Sequence, residues 1–329
     1  MINFIAYIDF KGLKGEKINL ESNYQNQIRK DFTQSFKNDF VLFKHNGSYE
    51  NFKLCNKKDE KFIVFTTIFE EDRQVLIKKL DVNDDSNIKD SELMLKLYLK
   101  FGESGLQCLS NGFIFIVIDL IKEDVLAFRD HIGIKNICYF KNGSSIYLSS
   151  SFNNLFNLDN KNFSLNLDKV DNFLSFNDFS NTDTFINEIN KVPPSHFIKY
   201  YADQVKIIQY SKYKLKNNLA SVNDQINGLK HFLKKSVSID RSSKHSKIGF
   251  LFSGGLDSST IISFFRIIKK INHEIFSFSS HYKNIDKDVI HLIDESSYQD
   301  EINKMNDINS ISFDGCNETT LSDIDFYLK

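Results

Sequence analysis

Residues 248–259 read Ile-Gly-Phe-Leu-Phe-Ser-Gly-Gly-Leu-Asp-Ser-Ser, an apolar run that ends in two glycines, three hydroxyls and a carboxylate. Gly254 and Gly255 let a backbone turn sharply and approach a ligand closely. If the apolar run is a strand and a helix starts just after it, the free N–H groups at that helix start point outward. The helix dipole there favours an anion. Ser253, Ser258 and Ser259 add hydrogen-bond donors, and such a nest suits pyrophosphate. A tight strand-to-helix turn with Asp257 or Ser258 as N-cap also explains a bare Ser-Gly-Gly. The full string between an apolar strand and the apolar run Ile261, Ile262, Phe264, Phe265, Ile268 favours the nucleotide site. The Gly-Lys-Ser/Thr of kinase-type phosphate loops is missing, so the expected chemistry is cleavage between the α and β phosphates rather than γ-phosphoryl transfer.

Other chemistry-bearing residues read more simply. The eight histidines show no metal-ligand spacing, and each reads as a surface or packing residue. Asp286 to Asp288 suggests a cation site less well than a solvated loop. Arg129-Asp130 reads as a structural ion pair at a turn, with Gly133 supplying backbone freedom. Cys55, Cys108, Cys138 and Cys316 form no C-x-x-C pair, which argues against a zinc site or disulfide framework and for a reducing, cytoplasmic setting.

The elements around these residues follow from hydrophobic periodicity. Strand-like runs occupy Phe4 to Phe10, Phe40 to Phe43, Phe62 to Phe69, Phe113 to Asp119 and Ile146 to Leu148. A helix is expected over Asp90 to Phe101, with Leu93, Leu97 and Phe101 on one face and Leu95 and Leu99 broadening it. A second helix runs Leu167 to Phe176, opened by Asp168. Pro193-Pro194 marks a turn before a strand at Phe197 to Tyr201. After a polar stretch come a helix at Asp224 to Val237, the strand Ile248 to Phe252, a helix at Ser258 to Lys270, and a strand at Glu274 to Phe278. A helix at Glu295 to Met305 and a short strand at Ser310 to Phe313 follow. Alternating β and α units argue for a parallel sheet wound with helices. The expected domains are 1–210 and 224–329, joined by a linker at 211–223.

Composition narrows the class. The chain has 329 residues, 41% of them hydrophobic, enough for two cored domains. A formal net charge of −1 offers no footprint for nucleic acid. The most apolar segment, Gly112 to Ile121, is broken by Asp119 and is too short to cross a bilayer, so no membrane is expected.

Several segments together resemble the asparagine synthetase family. The loop is similar to that of N-type ATP pyrophosphatases. Phe128-Arg129-Asp130-His131-Ile132-Gly133-Ile134-Lys135-Asn136 resembles the family's Arg-Asp-x-x-Gly-Ile-Lys-Pro segment, and Asp90-Ser91-Glu92 with Phe101-Gly102 its Asp-Thr-Glu helix. Leu109 to Asp119, Ser149-Ser150-Ser151 and Lys191 to His196 resemble further segments. Beyond the loop, Phe276-Ser277-Phe278-Ser279 and Asp294-Glu295-Ser296-Ser297-Tyr298 occur in the family's order.

The resemblance implies an α+β glutaminase-like (Ntn-type) sandwich followed by a truncated α/β PP-loop domain of the adenine nucleotide α-hydrolase type. It implies an ATP-dependent ligase that adenylates a small-molecule or peptide carboxylate, releases pyrophosphate and forms an amide. ATP and Mg²⁺ are the implied cofactors. The candidate ATP and pyrophosphate set is Leu251, Ser253, Gly254, Gly255, Leu256, Asp257, Ser258, Ser259 and Ser277, with Asp257 orienting Mg²⁺. Two departures stand out. Ile2 occupies the place of the family's N-terminal Cys nucleophile, and His45-Asn46-Gly47-Ser48-Tyr49-Glu50 only weakly echoes its glutamine-holding segment, so glutaminase activity is expected to be lost. The downstream Ser-Gly-x-Gly-x-Asp-Glu segment is also missing, which leaves a partner chain, or a fragment or non-catalytic paralogue, as expectations. Lasso-peptide cyclases and β-lactam synthetases, which lack glutaminase activity, are the alternative within the resemblance.

Overall fold

The computed structural model describes residues 4–11, 34–37, 41–45, 52–57, 60–82, 88–158, 162–178, 180–213, 221–238, 247–268, 274–282, 288, 294–306 and 308–314. Ile2, Asn46 to Glu50, Asp286 and Cys316 lie outside them, as does the Cys55 side chain. The chain divides into two compact units, Met1–Leu215 and Lys216–Lys329. Among the described residues no helix is long and apolar enough to cross a membrane.

The first unit is two antiparallel sheets in a sandwich. One contains β1 (Phe4–Asp9), β2 (Gln34–Lys37), β3 (Val41–His45), β8 (Cys138–Asn142), β9 (Ser145–Ser149) and β10 (Ile189–Lys191), in the order β10-β8-β9-β1-β3-β2. The other contains β4 (Phe52–Lys57), β5 (Glu60–Thr67), β6 (Ile114–Asp119), β7 (Asp124–Arg129), β11 (His196–Tyr201) and β12 (Gln204–Gln209), in the order β12-β11-β7-β6-β5-β4. Side chains alternate across a strand, and the cores follow that period. In β5, Ile63 and Phe65 enter the core between the sheets, while Phe62 and Val64 enter the outer core beneath the helices. Both faces of β6 are covered, which is why all six of its residues are buried and why it reads as a continuous apolar run. Phe4, Phe43 and Phe65 meet across the sandwich with centroids 5.0–5.7 Å apart.

Helices α1 (Glu70–Leu80) and α2 (Asp90–Phe101) cover the second sheet. In α2 the buried stripe is Leu93, Met94, Leu95 and Leu97, whereas Leu99 and Phe101 are exposed, contrary to the broader face expected. Short α3 (Phe152–Phe156) packs on the first sheet. In α4 (Leu167–Leu174) the cap is Asn166, whose side chain accepts from the Lys169 N–H; Asp168 sits inside the first turn rather than opening the helix.

Arg129 and Asp130 do not serve as a pair. The guanidinium donates to the carbonyls of Gly133, Lys135 and Val192 at 2.7–3.0 Å. The Asp130 carboxylate accepts the N–H groups of Ile132, Ile134 and Lys135. Asp130 satisfies backbone groups of its own turn, and Arg129 satisfies two carbonyls of that turn and that of Val192 beside it, which a mutual ion pair would leave unbonded. Gly133, at φ 76°, has no room for a Cβ, which would sit 3.0 Å from both the guanidinium and Pro194.

The second unit opens with α5 (Val222–Ser238), capped by reciprocal hydrogen bonds between Ser221 and Asp224. Then come β13 (Lys247–Leu251), α6 (Leu256–Ile268), β14 (Glu274–His281), α7 (Ser296–Asn306) and β15 (Asn309–Asp314). The three strands are parallel in the order β13-β14-β15. Register pairs Ile248 with Ile275 and Phe250 with Ser277. Phe250 meets Phe265 of α6 at 5.3 Å, so this face of the sheet lies under the helix.

Candidate nucleotide site

The Ser-Gly-Gly loop leaves the carboxyl end of β13, where parallel α/β sheets bind ligands. Phe252 still pairs with β14, its N–H donating to the Phe278 carbonyl at 2.9 Å, and its side chain is buried. The chain then breaks away. Gly254 takes φ 94°, and a Cβ there would meet Gln299 Cγ at 3.0 Å and the Glu295 backbone oxygen at 3.1 Å. Position 254 is thus glycine for two independent reasons, a left-handed backbone and the close approach of α7.

Helix α6 begins at Leu256, so the two expected caps, Asp257 and Ser258, both lie inside its first turn. The Ser259 N–H bonds to the Gly255 carbonyl at 3.1 Å, so the N–H groups of Leu256, Asp257 and Ser258 precede the helical ladder. The hydroxyls order the loop from within. Ser253 Oγ accepts from the Gly255 N–H at 3.2 Å and lies 3.3 Å from Ser258 Oγ. Ser258 Oγ donates to the Gly255 carbonyl, and Ser259 Oγ to that of Gly254. The result is an exposed turn with unspent N–H groups and a dipole end, the electrostatics of an anion cradle.

A cavity of roughly 400 Å³ opens beside the loop between the strand ends Leu251–Ser253 and Phe278–Tyr282, closed by Glu295 and Gln299 of the α7 turn. Its size suits a small organic ligand. Of the candidate residues, Ser253 to Ser259 are brought together at the loop and Leu251 at the cavity wall. Ser277 is elsewhere: it is fully buried on the face under α6, its hydroxyl has no partner among the described residues, and it does not line the cavity. Asp257 is exposed in the first turn of α6. No group of three or more His, Cys, Asp or Glu able to hold a metal occurs among the described residues. Two exposed carboxylates near an anion cradle, Asp257 in α6 and Glu295 at the cavity, fit Mg²⁺, which keeps water and takes one or two carboxylates plus substrate phosphates. Glu295 and Gln299 were not among the residues singled out for the site. Their signal in the sequence is a polar residue, Gln299, at helical spacing from Asn303 on the face of α7 that packs inward.

Comparison with known proteins bears on parts of both units. The glutamine amidotransferase domain family matches residues 57–213, and the asparagine synthase family matches residues 228–315. These two domains in this order are accompanied by sequence relatives carrying the synthetase name. A protein provisionally named asparagine synthetase (glutamine-hydrolysing) 2, from Methanocaldococcus jannaschii, is 25% identical over 54% of this chain and 35% of its own. Asparagine synthetase (glutamine-hydrolysing) 3 of Bacillus subtilis is 26% identical over 52% of this chain and 28% of its own. In both matched domains and their order the chain is similar to the asparagine synthetase family. It spans about a third of the length of the curated relatives it matches. Among solved structures, glutamine phosphoribosylpyrophosphate amidotransferase of B. subtilis aligns with a TM-score of 0.41 at 11% identity, over 82% of this chain and 58% of that one. The family's fold accounts for the glutaminase-type sandwich and the parallel nucleotide-domain sheet described above.

Proposed function

We propose that the second unit binds ATP with its phosphates over Ser253 to Ser259 and serves adenylation of a carboxylate. The observation that carries this reading is the Ser-Gly-Gly loop at the carboxyl end of β13, with Gly254 at φ 94° and unspent N–H groups at the start of α6. A substrate carboxylate oxygen attacks the α phosphorus, the bond to the bridging oxygen breaks, and pyrophosphate leaves with that electron pair. An amine then displaces AMP to give an amide. The chain's part is to hold the leaving pyrophosphate with oriented N–H and hydroxyl donors, so that charge developing on it meets preset dipoles. Asp257 would hold Mg²⁺, which supplies further neutralisation of that charge. The carboxylate and amine, small-molecule or peptide, and a partner chain completing the synthetase domain, belong to this proposal, as does a cytoplasmic setting, favoured by the free thiols of Cys108 and Cys138.

Within the family the reading leans to amide formation without glutamine hydrolysis. Ile2 stands where a thiol is needed, and of the two described cysteines, Cys138 is buried on the face of the first sheet that α3 covers and Cys108 is half-buried. Calorimetry with ATP and Mg²⁺ tests the site. Wild type is expected to bind and Asp257→Ala to bind at least tenfold more weakly. Equal affinities would remove Asp257 from the site, and no binding by the folded wild type would remove the site itself.

A further inference from the structure

The side chain of Gln299 enters the base of the loop from α7. It is 3% exposed, and its Nε2 donates to the Ser253 carbonyl at 2.7 Å. That single bond has a consequence across the next peptide plane. The Ser253 carbonyl and the Gly254 N–H belong to one planar trans peptide, so they point in opposite directions. Drawing the carbonyl toward Gln299 therefore turns the Gly254 N–H away from α7. No hydrogen bond to that N–H forms within the described residues. The positive φ of Gly254 is the backbone state that keeps this orientation, and Gln299 Cγ and Glu295 fill the space a side chain there would need.

The amide also has a fixed sense. Nε2 is committed to a carbonyl, and Oε1, an acceptor, is buried without a partner among the described residues. A turn further along α7, Asn303 is 6% exposed, and neither amide atom has a partner among the described residues. The hydroxyls of Ser277 and Ser279, on the buried face of β14, likewise have none among them. A helix that packs on α6 and β14 has thus kept polar groups where apolar ones fill such an interface at lower cost. The one bond that the Gln299 side chain makes within the described residues goes to the loop, and that bond needs its polarity.

We propose that Gln299 is a positioning residue of the nucleotide site: it locks the Ser253–Gly254 peptide so that the Gly254 N–H faces the bound pyrophosphate moiety. This rests on the ATP reading for its ligand, but the lock itself exists without one. Gln299 does not touch the reacting atoms; it acts through the loop backbone.

The test uses the full chain with Gln299→Met, which matches the length without a donor, and Gln299→Glu, which donates only when protonated. Ligand-free hydrogen exchange over residues 252–259 is expected to quicken about tenfold in Gln299→Met, as loss of one buried hydrogen bond implies, while β6 is unchanged. Pyrophosphate–Mg²⁺ affinity is expected to fall about tenfold relative to wild type, with adenosine affinity unaltered. At pH 7 Gln299→Glu should resemble the Met variant. Near pH 5 its buried carboxyl, protonated against a carbonyl, should recover both loop protection and the affinity ratio to wild type. Unchanged loop exchange in Gln299→Met overturns the proposal, and so does a Glu variant that shows no recovery at low pH. If wild type binds no pyrophosphate or ATP, the nucleotide reading fails, and the exchange and pH-recovery arms still decide the lock.

Discussion

Gly254 and Gly255 are adjacent and chemically identical, yet the loop uses them differently. Gly254 is left-handed and pressed against α7, whereas a Cβ on Gly255 would meet only Ser253 Oγ at 3.3 Å and Glu295 Oε2 at 3.9 Å. The left-handed conformation alone costs an L-residue about 1–2 kcal/mol. Gly254→Ala is therefore expected to destabilise the second unit by about 2 kcal/mol or more and to remove pyrophosphate binding, with Gly255→Ala near neutral for stability. Urea unfolding of the two variants measures this, and equal losses would refute the assignment of the left-handed position. A second expectation concerns cysteine. Burial pushes the Cys138 and Cys108 thiols up, which disfavours the thiolate a nucleophile needs. With Ile2 in the usual nucleophile position, no glutamate should form from glutamine above a heat-killed control, with or without ATP. Clear release would require another nucleophile.

At the scale of elements, legibility followed the number of faces an element buries. The strand–loop–helix of β13 and α6 was readable because its glycines and hydroxyls are tied to one backbone geometry. Strands β1, β5, β6 and β9 announced themselves through apolar runs. β7 and β8 did not, because Asp124, Arg129 and Asn142 dilute the pattern at their ends. Helix α1 escaped notice since its buried residues are few, Leu76 and Asp72, the latter accepting the N–H groups of Ser110 and Asn111. The Arg129-Asp130 turn was located correctly but its bonding was not, because two opposite charges in sequence suggest each other before they suggest backbone partners. The inward face of α7 was hidden for the opposite reason: Gln299 and Asn303 look like surface residues. Asn303 gives this a measurable form. Both of its amide atoms are buried without a partner among the described residues, so Asn303→Leu removes two such groups at similar volume. It is expected to stabilise the second unit by about 1 kcal/mol. A destabilisation of similar size would mean that the amide is bonded in solution, through water for instance.

For the molecule as a whole, the sandwich is held at several points by phenols that bridge separate elements. The Tyr200 hydroxyl, on β11, donates to the Ser144 carbonyl in the β8–β9 turn and to Asp203, linking the two sheets. The Tyr210 hydroxyl donates to the Arg129 carbonyl at 2.8 Å. Burial, and then the neighbouring carboxylates, push the Tyr98 phenol up to about 12, and burial raises Tyr200 and Tyr210 further above the ordinary value. A phenol with a raised folded pKa keeps its proton where the unfolded chain has released it. Its stabilisation is complete below about pH 10, the unfolded value, and is lost as pH rises through the folded value. The expected outcome is a stability that starts to fall above about pH 8.5, where the unfolded Cys108 and Cys138 thiols ionise, and falls more steeply between about 10 and 12. The chain contains 13 Tyr and no Trp, so phenolate absorbance near 295 nm can be followed without indole interference. A set of tyrosines should ionise late and together with loss of the β-sheet circular dichroism signal. If every phenol instead ionised near pH 10 while that signal persisted, the bridging hydroxyls would not be holding the sandwich, and the two sheets would owe their alignment to the apolar core alone.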